Sequence, residues 1–190
     1  MARPRSDQKR KAIIEAAIEV FAERGVANAP SSAISSAAGV AEGTLFRYFK
    51  TKDGLISELY RELRREVDRE MVDYPYTADP RTRLRYIWDR YLSMAMRFPK
   101  RLKVLRQLRA SGRLLRDAEA PNLALTELMQ TTKDAAKLGQ IQNAPAELLV
   151  LLFRAHAEAT AEFIGAHREL ESECSEVGFT LFWRGLSGLQ

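Results

Sequence analysis

Apolar residues recur every three to four positions along nearly the whole 190-residue chain, and nowhere do they alternate with polar ones through a run of β-branched residues. A period near 3.6 buries one stripe of a helix, whereas a half-buried strand needs a period of two, so the pattern predicts an all-α fold. Ile13, Ala17, Val20 and Phe21 form one such stripe, with Glu15, Glu19 and Glu23 off it and Gly25 as its stop. Prolines punctuate the rest. Pro30 opens a second short helix, and Pro75 and Pro80 bracket a break after a long charged helix of about 52–73. Pro99 divides a helix of about 80–98 from a basic one of about 100–110, Pro121 lies near the start of one that Gly139 ends, and Pro145 opens a helix of about 146–168. A last helix fills about 171–188, which makes about nine, and Met1 to Asp7 alone reads as disordered. The 52–73 helix joins a front domain of residues 1–52 to a larger rear domain of 53–190.

Composition excludes several classes. The chain is 46% hydrophobic and 29% charged, which is globular rather than disordered. One cysteine, Cys174, makes no internal disulfide and no cysteine zinc site, and fits a reducing cytosol. The longest apolar run, Leu148 to Phe153, is six residues against the roughly 18 a membrane helix needs, so no membrane partner and a cytoplasmic location are expected. No H-E-x-x-H, no phosphate loop ending in G-K-[ST] and no G-x-G-x-x-G is present, and neither histidine has a glutamate three residues before it. His156 and His167 sit eleven residues apart, about 16 Å along a helix and too far to share a metal. Neither an enzyme, a cofactor nor a metal is expected.

Ser31 to Lys52, SSAISSAAGVAEGTLFRYFKTK, is the informative stretch. Ser31 to Ala38 fits two helical turns with Ile34, Ala37 and Ala38 inward, and Gly39 supplies a left-handed position for a sharp turn. Glu42 to Phe49 fits a second short helix with Leu45 and Phe49 inward at i, i+4, leaving Glu42, Thr44, Arg47 and Lys50 outward. Two short helices on a glycine turn, braced by an amphipathic first helix, describe a helix-turn-helix, whose outward helix has the width of a DNA major groove.

The run Ala38-Gly39-Val40-Ala41-Glu42-Gly43-Thr44-Leu45-Phe46-Arg47-Tyr48-Phe49-Lys50-Thr51-Lys52, continued by Asp53, Leu55 and Ile56, resembles the DNA-binding domain of the TetR family of bacterial repressors, whose pattern is A-G-V-x-x-G-T-L-Y-x-Y-F-x-x-K. The resemblance covers about 50 residues. It implies that Thr44, Tyr48 and Lys52 contact phosphates, that Gly43 permits close backbone approach, and that Glu42 and Arg47 read bases. It also gives Arg3 and Arg5 to an arm along the backbone or minor groove, and Ser31 or Ser32 to a helix cap that also touches phosphate, with capping alone as the alternative. The chain departs from the pattern at Phe46, at Ala41, and at Ala29-Pro30-Ser31.

The resemblance further implies a homodimer whose last two helices pair with their mates, and a small-molecule effector in the rear domain. Leu149, Phe153, Phe179, Phe182 and Trp183 are the interface residues this reading selects, because the two last helices are apolar on more than one face. Trp88, Tyr91, Met129 and His156 would line a mostly apolar pocket, although the same aromatic and methionine stripes also read as plain core.

Net charge is +5, and residues 97–116 hold eight Lys or Arg and no acid, while 117–190 hold eleven acids against five bases. The favoured reading sets the basic run against that acidic segment; solvated surface, or attraction of an acidic effector or flanking DNA, are the alternatives. The function expected is a ligand-responsive DNA-binding transcriptional regulator, a repressor reading a palindromic operator as a dimer through the 42–49 helix. The other readings are a sequence-indifferent basic DNA-binding protein and a dimeric helical interaction module.

Overall fold

The computed structural model describes residues 4–115 and 122–188. Those residues form α1 (Pro4–Arg24), α2 (Ser31–Ala37), α3 (Glu42–Phe49), α4 (Lys52–Arg69), α5 (Pro80–Arg97), α6 (Pro99–Ala110), α7 (Leu123–Lys137), α8 (Ala146–Ala166) and α9 (Glu171–Ser187), with a 3-10 turn at Arg168–Leu170 and no strand among them. The helix that begins at Pro4 includes residues the composition reads as disordered. No described helix is long and apolar enough to cross a membrane.

The chain divides into two compact units, and the division differs from one drawn at residue 52. The first takes the described part of Met1–Glu66 together with that of Phe98–Ala120, so α6 belongs with α1 to α3 and most of α4. The second takes Val67–Arg97 and the described part of Pro121–Gln190.

In the first unit, the α1 stripe is buried as its period demands: Ile13, Ala17 and Phe21 are fully covered and Val20 nearly so. Gly25, at φ +78°, ends the helix with its N–H on the Phe21 carbonyl. Ile34, Leu45, Leu55, Leu59, Leu63, Val104 and Leu108 complete this core with no exposure at all. Burying each such side chain contributes about 1.5–3 kcal/mol.

The second unit centres on Trp88 of α5. Its ring meets Phe153 of α8 edge-on and Phe179 and Phe182 of α9 at centroid distances of 5.9, 5.9 and 6.4 Å. Gly178 lets this cluster close, because a Cβ there would lie 2.5 Å from Thr160 Oγ1 and 2.8 Å from Trp88 Cζ2. A buried polar network stands beside it. Arg83 donates from Nε to the Tyr74 hydroxyl at 3.1 Å and from a terminal nitrogen to Asp134 at 2.9 Å, and Tyr74 shares a 2.6 Å hydrogen bond with Thr131. Burial raises the Tyr74 pKa. Asp68 reaches the start of α7, accepting from Asn122 Nδ2 at 2.6 Å and from the Ala124 N–H at 2.9 Å, the latter a donor that a helix start leaves open.

Candidate nucleic-acid interface

The turn between α2 and α3 is built by Gly39. At φ +65° its N–H returns to the Ser36 carbonyl at 3.1 Å and the Val40 N–H to Ser35 at 3.0 Å, the two bonds of a Schellman cap. Ile34 is buried as the spacing predicts, but Ala37 is exposed and Ser35 takes the inward place, its hydroxyl donating to the Ser32 carbonyl at 3.1 Å. Pro30, in extended backbone, occupies the N-cap of α2 and no side chain caps it. This corrects the capping role of Ser31 and Ser32: the extended residue before the helix is Pro30, so the serines stand inside the first turn. Ser31 is half-buried and Ser32 exposed there.

α3 buries Leu45 and Phe49 and turns Glu42, Gly43 and Arg47 to the surface, with Thr44 and Tyr48 half-buried at its flanks. Arg47 lies 6.0 Å over the Tyr48 ring, a cation–π contact that steadies the guanidinium along the helix. Gly43, Arg47 and Lys50 fall at i, i+4, i+7, one exposed row.

The junction of α3 and α4 is tight. Lys50 sits at φ +59°, ψ −47°, and the Thr51 N–H turns back to the Phe49 carbonyl at 2.7 Å, a γ-turn of the strained hand. Thr51 Oγ1 then caps α4 by accepting the Gly54 N–H at 2.9 Å. A Cβ on Gly54 would stand 2.2 Å from the Phe49 carbonyl oxygen, so only glycine permits this approach. The result fixes Lys52, in the first turn of α4, directly behind the end of α3. Burial, and then the positive charge of Arg113, lower the Lys52 pKa, with Asp53 opposing. Arg3 lies outside the described residues, and Arg5 falls in the first turns of α1.

Residues 13–59 match the family described as bacterial regulatory proteins, tetR family. This segment belongs to the tetR family. The fatty acid metabolism regulator protein of Bacillus subtilis is 34% identical over 83 residues, which span 43% of this chain and 43% of that relative. The chain therefore matches under half the length of that curated relative. The solved TetR-family transcription regulator of Marinobacter aquaeolei VT8 is 20% identical, covers 97% of this chain and 98% of its own, and superposes with a TM-score of 0.80. FadR from Bacillus subtilis in complex with stearoyl-CoA superposes with a TM-score of 0.67 at 19% identity, over 93% of this chain and 99% of its own. These two likenesses show the same helical fold over 93–97% of the chain.

Outside the tetR segment, several sequence expectations change. Leu149, Phe153, Phe179 and Phe182, selected for the dimer face, are each within 2% of full burial inside their own unit, and Trp183 is half-buried. Both last helices do carry apolar residues on two faces, but the rings turned in on Trp88. The apolar side chains left outward are Leu148, Leu151 and Phe163 on α8 and Val177 and Leu181 on α9.

The residues selected for the pocket differ in burial, and the His156 and Trp88 rings both lie against Phe182. Trp88 is fully buried among rings, Tyr91 and Met129 are half-buried, and His156 is exposed, bonded through Nδ1 to the Leu152 carbonyl at 3.0 Å. Two cavities in this unit are lined by other residues. One of about 280 Å³ is bounded by Thr132, Ala136, Asn143 and Leu149 among others. One of about 560 Å³ is bounded by Thr77, Asp79, Arg83, Asp134, Lys137 and Gln140 among others.

Among the described residues, four cations of the basic run 97–116 pair with carboxylates that precede it in the chain. Lys100 pairs with Glu19, Arg101 with Glu15 and Glu66, Arg113 with Asp53, and Arg97 with Glu70. The pairs of Lys100 and Arg101 with α1 follow from topology, because α6 packs on α1 within the first unit. Net charge per segment carries no information about which segments fold together.

Proposed function

We propose that the chain is a DNA-binding transcriptional regulator that represses by occupying a palindromic operator as a homodimer and releases it when a small molecule binds. The observation that carries the reading is α3 itself. Its buried Leu45 and Phe49 anchor a helix whose exposed row holds Arg47, with Glu42 beside it, inside a segment of the tetR family. Arg47 has the geometry to pair with guanine and Glu42 to accept from cytosine. Thr44, Tyr48 and Lys52 take phosphates and set the register.

The ion pairs of α6 weigh against sequence-indifferent binding. Glu15, Glu19 and Glu66 neutralise cations that would otherwise present a bare basic face.

A dimer is supported by the outward apolar residues. Leu148 and Leu151 stand three apart on α8, and Val177 and Leu181 four apart on α9, each 46–61% exposed. Two apolar rows on neighbouring helices fit a second copy of the chain, and two reading helices fit two half-sites. Effector control is supported by the cavities of the second unit and by the stearoyl-CoA held in the Bacillus subtilis FadR structure of the same fold. An effector acts only through a preference for the conformer that does not fit DNA.

The test is base substitution in a bound duplex. Arg47→Ala should relax preference at one operator position by about 1–3 kcal/mol. Lys52→Ala should weaken all sequences alike and flatten the salt dependence. Equal losses on operator and random DNA from both variants would contradict the division between a base-reading Arg47 and a phosphate-binding Lys52.

A further inference from the structure

Arg113 belongs to no element that the helix-turn-helix reading assigns to DNA. It follows α6, in a short segment that folds back on the start of α4. The Ser111 hydroxyl donates to the Leu108 carbonyl at 2.6 Å and accepts the Arg113 N–H at 3.2 Å. Two residues on, the Leu115 N–H donates to the hydroxyl of fully buried Ser57 at 2.9 Å. These ties bring Arg113 to the first turn of α4, where its Nε donates to Asp53 Oδ1 at 2.7 Å.

Asp53 follows Lys52 in the first turn of α4, so the pair sets Arg113 at the turn that carries Lys52. Its own side chain is 45% exposed and that of Arg113 38%, so the pair faces solvent rather than filling a core. The charge of Arg113 reaches Lys52, where together with burial it disfavours the ammonium form. The ties through Ser111 and Ser57 thus hold a second solvent-facing cation at the turn that carries Lys52. A phosphate backbone, with one negative charge about every 1.7 Å of duplex axis, can engage both.

We infer that Arg113 is a further phosphate-contacting residue, forming with Lys52 a two-cation clamp on the DNA backbone, and that Asp53 holds its guanidinium in place until phosphate takes over. The inference rests on the DNA-binding reading of the first unit. It gives Asp53 and Arg113 opposite effects, because the carboxylate competes with the phosphate for the same guanidinium. A purely structural ion pair gives them the same effect.

The experiment is fluorescence anisotropy of a labelled random-sequence duplex with the full chain, titrated in salt, alongside thermal melts of each variant. Arg113→Ala should weaken binding several-fold and reduce the salt slope by about 0.9 per protomer. Between about 50 and about 200 mM salt its affinity should therefore fall about 3-fold less than that of the wild type. Arg113→Lys should restore the slope, and Asp53→Asn should bind more tightly than the wild type. A wild-type slope in folded Arg113→Ala overturns the inference, as does weakened binding by Asp53→Asn. Should Arg113→Ala fail to fold, the Arg113→Lys slope and the sign of the Asp53→Asn change decide it. Salt-independent wild-type binding, or none, instead overturns the DNA-binding reading itself.

Discussion

Arg101 of α6 and Glu66 of α4 form a 2.8 Å ion pair with only 22% and 21% of their side chains exposed. The same guanidinium reaches Glu15 of α1 at 2.7 Å, so one residue ties three helices of the first unit. Exposed pairs contribute at most about 1 kcal/mol, whereas charged hydrogen bonds shielded from water contribute about 1.5–3. A double-mutant cycle of Arg101→Ala and Glu66→Ala in urea should give a coupling of about 1 kcal/mol or more. A coupling below about 0.3 kcal/mol would place the pair with ordinary surface contacts.

Gly54→Ala sets two effects against each other. Alanine in a helix gains about 1 kcal/mol over glycine. The added Cβ, however, stands 2.2 Å from the Phe49 carbonyl oxygen, which is backbone and cannot swing away. The clash should win, lowering Tm and weakening DNA binding by shifting Lys52 relative to α3. A raised Tm with unchanged affinity would show that the junction yields easily.

Helix boundaries were legible because prolines and glycines mark them: Pro80, Pro99 and Gly39 stand where the periodicity ends or the chain turns. The inward pair Leu45 and Phe49 was legible from spacing alone. The face of α8 and α9 turned to the core was not. Both faces are apolar, and the fold turns Phe153 and Phe182 against Trp88 and leaves Leu151 and Leu181 outside. Nor were the long-range ties of α6, or the cap that Asp68 supplies to a helix 54 residues away or more. Such partners depend on topology, and a local pattern does not encode it.

Asp79 caps α5. Its carboxylate accepts the Thr82 hydroxyl at 2.6 Å and the N–H groups of Arg81 and Thr82 at 3.0 and 3.2 Å. The Thr82 hydroxyl and these N–H groups hold the Asp79 pKa below its ordinary value. A depressed carboxyl pKa contributes stability above the ordinary value near about 3.9, and that stability is lost as pH falls through the lower folded value. Asp79→Ala should cost about 1 kcal/mol at neutral pH. Urea melts of variant and wild type should converge as pH falls through that lowered folded value. A difference that persists into acid would mean the cap works without its charge.

The outward apolar rows predict their own failure. Leu151→Glu with Leu181→Glu places charges on side chains 60% and 61% exposed in the single chain, so the protomer should still fold. Sedimentation should show the variant as a monomer and the wild type as a dimer. A dimeric variant would move the interface elsewhere.

The central claim, that α3 reads sequence, is tested most directly by selecting bound duplexes from a random library at about physiological salt with the purified chain. A sequence-reading α3 predicts an enriched palindrome, with half-sites about one helical turn apart or a multiple of it. Binding that enriches no sequence would contradict it, leaving a protein that holds DNA by charge alone.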